Sequence, residues 1–200
     1  MNEMALIGSG GHAGVVIDAV RRLGEFDISH VICEVNGGSK RHGYNVEKWL
    51  EEIPYPNLFH FIAIGDNAIR ERISKHEFSY VNVFHPSAEY SKQICCGSYF
   101  GANSVVGNNS KVGNFSIINT GTILEHDSVV GDYSHLASGV ITGGNVKIGS
   151  RTMIGLGSII QDGITIGNNC IIGMGSVVTK DIPDDEIWWG SPAEFQRIKK

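Results

Sequence analysis

Positive charge is scarce in this 200-residue sequence: 16 Lys and Arg stand against 21 Asp and Glu, a formal net charge of −5. Without a basic surface there is nothing to attract a phosphate backbone, which argues against nucleic acid as a partner. Long apolar runs are also missing. No window approaches the roughly 20 apolar residues that a membrane span requires, and the N-terminus lacks the basic region and apolar stretch of a leader. These absences predict a soluble, cytoplasmic protein with no membrane contact. Cysteine is sparse too, with Cys33, Cys95, Cys96 and Cys170 showing no CxxC spacing. The adjacent pair Cys95 and Cys96 is too strained to close readily, so reduced, packed thiols are expected. What the chain does have is a hydrophobic content of 42%, enough for a genuine core, and 26 glycines, well above the usual share of about 7%.

The first half alternates apolar runs with helical spacing. Met4-Ala5-Leu6-Ile7 is a short strand that ends in Gly8-Ser9-Gly10-Gly11-His12-Ala13-Gly14. Val15, Val16, Ala19, Val20 and Leu23 then recur at helical spacing before Gly24. His30 to Val35 reads as a second strand, Val46 to Ile53 as a short helix, and Leu58 to Ile64 as a third strand running into Gly65-Asp66-Asn67 and a helix through Lys75. This βαβαβα order predicts a parallel sheet in a Rossmann-like half domain over residues 1–86.

After Pro86 the period changes. An apolar residue recurs every six positions, from Ile94, Phe100, Val106, Val112, Ile118, Leu124, Val130 and Leu136 to Ile148, Ile154, Ile160, Ile166, Ile172 and Val178, with Thr142 the one break. Glycine often follows it, and Ser or Thr is usual at the fifth place of the unit, as at Ser98, Ser116, Thr122 and Ser134. Six is three times the strand period of two, so each unit fits a short strand and a sharp corner, and three units close one triangular coil. The prediction is a parallel β-helix over residues 87–190, about five coils and, at roughly 4.8 Å between strands, about 24 Å tall. Its open end needs a cover. The tail, residues 191–200, with Phe195 and Ile198 at helical spacing, is the natural lid.

Gly8-Ser9-Gly10-Gly11-His12-Ala13 also satisfies GxGxxA between a strand and a helix. Such glycines admit a diphosphate to a helix N-terminus with free N–H groups, and Gly10, Gly11 and His12 are the candidate ligands. A first half this short suits one mononucleotide rather than a dinucleotide. Gly65 and Asn67 close the opposite side of the same crevice, at the end of the third strand.

The hexapeptide row, the glycine turn with His12, the segment Asn119-Thr120-Gly121-Thr122-Ile123-Leu124-Glu125-His126-Asp127 and the ending Gly190-Ser191-Pro192-Ala193 together resemble the sugar acyltransferases of the sialic acid O-acetyltransferase type. Within these, the chain is most similar to the N-acetyltransferases of nucleotide-linked 4-amino-4,6-dideoxyhexoses. The resemblance implies a left-handed hand for the β-helix, a homotrimer with active sites between subunits, acetyl-CoA as donor, and a UDP-, dTDP- or GDP-linked amino sugar held partly by the first half. It implies that His126 is the general base. Asn119 would hold the acceptor amine or a water, His135 would contact acetyl-CoA, and Gly144, Leu156 and Met174 would line the pantetheine path. It also places Glu34, the nearest acidic residue to the end of the second strand, against the nucleobase.

The chemistry agrees with that assignment of His126. An amine attacking a thioester must lose a proton as its bond to carbon forms, and an imidazole titrates near working pH. A carboxylate partner fixes the tautomer and stabilises the imidazolium, a role that falls to Asp127. Neighbouring residues on a flat strand point to opposite faces, so the two can touch only where a corner bends the backbone; otherwise Glu125 or another subunit's carboxylate must serve. The expected product is an N-acetylated nucleotide sugar for glycan biosynthesis. The rivals are an O-acetyltransferase of a sialic-acid-like sugar, a zinc enzyme like the carbonic anhydrases of this architecture with His126 and His135 as ligands, and a non-catalytic scaffold in which His126 is a solvated surface residue. The leading reading requires no metal.

Overall fold

A computed structural model describes residues 1–49, 54–90 and 95–199. The N-terminal half is a six-stranded sheet of order β3-β4-β2-β1-β5-β6. β1 (Asn2–Ile7) lies at its centre between β2 (Phe26–Cys33) and β5 (Phe59–Ile62), parallel to both. Met4 to Ile7 are buried on both faces, which is why this strand reads as an unbroken apolar run. Helix α1 (Gly11–Leu23) packs Ala13, Val16, Ile17, Ala19 and Val20 on the sheet and ends where Gly24, at φ 72°, turns its N–H back to Val20 O. Helix α2 (Asn67–Ile73) starts at Asp66, whose carboxylate accepts from Ile69 N at 2.9 Å. β6 (Ser79–Tyr80) completes the edge.

The helix expected from Val46 to Ile53 does not form over its described residues. Its described part belongs to β4 (Tyr44–Lys48), which runs parallel to β2 with Val31 opposite Val46 and pairs antiparallel with β3 (Lys40–Arg41) through a His42-Gly43 turn; residues 50–53 lie outside the described residues. Val46 and Trp49 are both buried, and that i, i+3 pair imitates a helical stripe. The exposed edge of β2 offered ladder hydrogen bonds that outweighed it.

The second half is the expected solenoid. After β7 (Val83–Phe84), a two-residue strand recurs every six residues from Tyr99–Phe100 to Val177–Val178. Residues 18 apart stack in parallel register, as in Ile117 with His135 and Ile118 with Leu136. Ile94, the expected start of the row, lies outside the described residues. The row from Phe100 to Val178 points inward and is buried. Thr142, its one polar member, is buried with its hydroxyl accepting from Glu125 N at 3.1 Å, so the polar atom is satisfied. The small fifth residues form hydrogen-bonded columns: Ser98 Oγ accepts from Ser116 N, Ser116 Oγ from Ser134 N, and Ser134 Oγ from Thr152 N, at 3.0–3.2 Å. At each corner one residue is left-handed, with φ 53–74° from Asn103 to Gly175.

The three faces differ. The first, through Tyr99, Ile117 and His135, carries the N-terminal half: Tyr99 and Ile117 join the core of α1 and β1. The second presents Val105, Ile123, Ile141, Ile159 and Val177 outward, with Val105, Ile141 and Ile159 36%, 42% and 48% exposed. The third presents Lys111, Val129, Lys147 and Thr165. The stack on the first face is extended by β7 below and by Glu186–Gly190 above. The tail does not form a helix. Ala193–Ile198 pairs antiparallel with Glu186–Gly190, because an open strand edge supplies backbone partners that a short helix on the surface would lack.

Arg70 joins the two halves. Its guanidinium is buried and donates to Ile64 O, Gly65 O and Asn67 Oδ1 on one side and to Phe115 O and Tyr133 O on the other, at 2.8–3.0 Å. Burial lowers its pKa to about 10, so it remains a cation at neutral pH. Phe115 and Tyr133, held at left-handed corners, stack on each other, and Tyr80 packs edge-on against Phe115.

Candidate active site

His126 and Asp127 occupy the corner between the second and third faces. Asp127 is the left-handed residue, at φ 59°, and this bend lets adjacent side chains meet: His126 Nδ1 lies 2.8 Å from Asp127 Oδ2. A carboxylate acceptor requires the proton on Nδ1, which leaves Nε2 as the basic nitrogen. Nε2 has no hydrogen-bond partner among the described residues. The hydrogen bond to Asp127 raises the imidazole's pKa above the ordinary 6.5, with the charges of Asp127 and Glu125 adding to it, and His126 lowers that of Asp127 in return. Glu125 is thus a neighbouring charge rather than the ring's partner.

Gly144, one coil above, fits under the ring. A Cβ there would stand 2.5 Å from His126 Cε1 and 2.6 Å from Nε2, inside contact distance. Leu156 and Met174 lie elsewhere, on the corner between the first and second faces, where they are 54% and 77% exposed. The second face thus runs between two edges, one bearing His126 and Gly144, the other bearing Asn119, Leu156 and Met174. Asn119 is not brought to His126 within one chain. Its Nδ2 donates instead to His135 Nε2 at 3.3 Å, while its Oδ1 accepts from Thr120 N at 2.8 Å.

His135 is buried under the N-terminal half. Its Nδ1 reaches Gly65 O at 3.2 Å and so carries the proton, leaving Nε2 to accept from Asn119. Burial and the Arg70 cation lower its pKa to about 4, so the ring is neutral. His12 lies beside it, ring centroids 6.2 Å apart, with its own pKa lowered to about 3 by burial and then by His135 and Arg70. His12 Nε2 is buried without a partner among the described residues, an atom that a hydrogen-bonding group of a ligand would satisfy. The zinc reading would require His135 to give up the bond at one ring nitrogen, to Asn119 or to Gly65 O, and His126 stands on a different part of the prism.

At the glycine turn, α1 has no side-chain cap, and the space where Cβ atoms would stand at Gly10 and Gly11 is open. The chain's own packing does not demand glycine there, so the turn leaves room for a ligand against the free N–H groups. Gly8 is different: at φ 118° a Cβ would strike Ala63 O at 2.8 Å. Glu34 stands at the end of β2, but Arg72 grips both of its carboxylate oxygens at 2.8 and 2.6 Å and lowers its pKa. Any nucleobase contact at Glu34 must share that pair. Asn67 donates to Arg151 O at 3.1 Å, and Gly65 and Asn67 line a cleft of about 390 Å³ with Asp66, Met153, Ile171 and Lys199.

Sequence reasoning missed Arg70, Arg72 and Lys199. Nothing in a heptapeptide helix marks which of its arginines is buried. The corner at Asp127 had a visible signal: Asn103, Asn109, Gly121, Gly139, Asn145, Gly157, Gly163, Asn169 and Gly175 keep a six-residue spacing, and Asn and Gly tolerate left-handed backbone.

Comparison with known proteins agrees with this architecture. The profile of the PglD N-terminal domain matches residues 3–76, and that of the hexapeptide repeat of succinyl-transferase matches residues 145–180. No curated protein sequence matches the chain. Among solved structures, a variant of perosamine N-acetyltransferase from Caulobacter crescentus, in complex with CoA and GDP-perosamine, is 32% identical over 98% of each chain, with a TM-score of 0.92. The chain belongs to the nucleotide-sugar acetyltransferases. The acetyltransferase domain of PglB from Neisseria gonorrhoeae is 30% identical over 98% of this chain and 100% of that one, TM-score 0.90. WeeI from Acinetobacter baumannii is 27% identical over 96% and 99%, TM-score 0.88. As in this family of acetyltransferases, the fold is an α/β half domain followed by a left-handed β-helix.

Proposed function

We propose that this nucleotide-sugar acetyltransferase moves the acetyl group of acetyl-CoA onto the 4-amino group of a nucleotide-linked 4-amino-4,6-dideoxysugar. The observation that carries the reading is the dyad: an imidazole whose Nδ1 is held by Asp127 at 2.8 Å and whose Nε2 is unpartnered. Nε2 takes a proton from the amine as the nitrogen attacks the thioester carbonyl. Asp127 stabilises the imidazolium, and the proton passes on to the departing thiolate. Relatives of 29–32% identity are solved with CoA, GDP-perosamine or acetyl-CoA, which supports both substrates. The nucleobase stays open among uracil, thymine and guanine.

The nucleotide half of the acceptor fits residues 1–86. The uncapped N-terminus of α1 at Gly10 and Gly11 faces the diphosphate, the orphan Nε2 of His12 lies nearby, and Gly65 and Asn67 close the other side. Acetyl-CoA fits the β-helix of residues 87–190, along the edge where Leu156 and Met174 are exposed, with Asn119 and His135 at its inner end. The tail is read as the cover of the prism's open end, which the pairing of Ala193–Ile198 with Glu186–Gly190 supports.

The second face supports a homotrimer. A stripe of exposed Val and Ile residues between two corners is the surface most in need of a partner. A second copy seated on it would meet His126 along one edge and the edge of Asn119, Leu156 and Met174 along the other, which assembles between chains the site that one chain separates. No helix among the described residues is long and apolar enough to cross a membrane, and we place the reaction in the cytoplasm.

The test is acetyl transfer from acetyl-CoA to a panel of UDP-, dTDP- and GDP-linked amino sugars and their 4-hydroxy counterparts. Transfer to an amino acceptor, lost in His126→Ala, supports the reading. Preference for a hydroxy acceptor would replace it with the O-acetyltransferase, and an undiminished rate in His126→Ala would remove His126 from the chemistry.

A further inference from the structure

The dyad has a third member. Asn109 sits one coil below Asp127 in the same corner column, and both are left-handed, at φ 59°. Its Nδ2 donates to Asp127 Oδ1 at 3.2 Å, while Asp127 Oδ2 is the oxygen that accepts from His126 Nδ1. One carboxylate is thus held from both sides, by an amide below and an imidazole beside it. The backbone fixes the same arrangement, since Asp127 N donates to Asn108 O and Asn145 N to His126 O. A carboxylate side chain at an exposed corner has free rotamers, and every rotamer that leaves Nδ1 frees the ring to turn and to exchange tautomers.

We infer that Asn109 is a positioning residue for the acetyl transfer, locking the Asp127 carboxylate in the rotamer that orients His126. The inference rests on the reading of His126 as the base and adds a group that touches neither substrate. Asn is also a common choice for a left-handed corner, and an amide–carboxylate pair of the same kind, Asn169 with Asp185 at 2.6 Å, occurs at the corner between the third and first faces. There the residue before the aspartate is Asp184, not an imidazole. The corner's structural value is therefore common to both pairs, while orientation of a histidine belongs to Asn109 alone. This difference supplies the control.

Asn109→Gly deletes the amide without straining the left-handed backbone, and Asn109→Asp keeps the shape but opposes Asp127 with a like charge. Each is expected to lower kcat about tenfold, with KM for both substrates unchanged, because a misdirected base loses transition-state contact and not binding. NMR titration of the His126 ring in the full-length protein gives a readout independent of turnover. The charged groups facing the ring are Asp127 and Glu125. In Asn109→Gly the freed carboxylate leaves the ring more often, so the titration should move to lower pH. Asn169→Gly, which also releases Lys199 Nζ from Asn169 Oδ1, should leave the titration unmoved. In an Asp127→Ala background, Asn109→Gly should add nothing.

An Asn109→Gly enzyme with native kcat and an unmoved titration overturns the inference, as does an equal loss of kcat with Asp127 already removed. If the titration moves while His126→Ala keeps its rate, the positioning stands and the assignment of His126 as the base fails.

Discussion

His126 and Gly144 stand 18 residues apart, one above the other, and the imidazole occupies the space that a side chain on Gly144 would need. The glycine is therefore a seat for the ring. Gly144→Ala should push the ring off its position while leaving the coil intact. Displacement of a base by about 1 Å can cost on the order of 100-fold, so kcat should fall by about 10- to 100-fold with little change in KM. Steady-state kinetics with both substrates varied checks this, and a native kcat would show that the ring does its work from another pose.

The pH profile follows from the dyad. In the proposed reaction His126 acts with Nε2 unprotonated, and the Asp127 hydrogen bond raises the ring's pKa above 6.5. The acid limb of kcat/KM should accordingly lie above pH 6.5, with activity rising as pH passes through it. In Asp127→Asn the limb should shift toward lower pH and the plateau rate should fall. A limb that stays in place would mean that another group sets it.

His12 and His135 make a second pH-dependent statement, about stability. Both are neutral in the folded protein, with pKa values of about 3 and about 4 against 6.5 for a free side chain. Unfolding lets them take up protons below pH 6.5, so stability present above that value drains away as pH falls toward 4 and then 3. At about 1.4 kcal/mol for each pKa unit, the loss by pH 4 is at most about 6 kcal/mol for the pair. Urea denaturation between pH 7 and 4 measures it, and His135→Gln should flatten the slope.

Replacing Arg70 by Met should destabilise the fold by about 3 kcal/mol or more, since it strips partners from buried carbonyls on both halves. Chemical denaturation reads the loss directly. An unchanged midpoint would mean that water replaces the guanidinium.

Ile159→Glu, on the second face, should break the proposed trimer. The chain should sediment as a smaller species and lose acetyl transfer, yet keep its circular dichroism, because Ile159 points away from the prism's interior. A trimer that survives this charge would place the contact on another face.

The prism was readable in the sequence because its rule is local and repeated. A break such as Thr142 only needed one hydroxyl to find one N–H. Over residues 46–49, and at the spacing of Phe195 and Ile198, the helical pattern misled for a shared reason: two apolar residues at helical spacing weigh little against an unpaired strand edge, and which edge is unpaired is not written locally. Asp127's contact with His126 hinged on backbone handedness, which the Asn and Gly rhythm of the corners encodes. Contacts between the halves, such as Arg70 with Tyr133 O or His135 with Gly65 O, span 63 and 70 residues and have no local signature.

Arg70 meets the prism through main-chain oxygens, those of Phe115 and Tyr133, and not through their side chains. Backbone oxygens are present whatever residue occupies those corners, so the Arg70 contacts do not depend on the corner side chains, whereas the packing of Tyr99 and Ile117 against α1 and β1 does depend on the column's sequence. Exchange of N-terminal halves between solenoids with the same coil geometry should then keep the Arg70 anchor, and succeed where the residues in the places of Tyr99 and Ile117 also match.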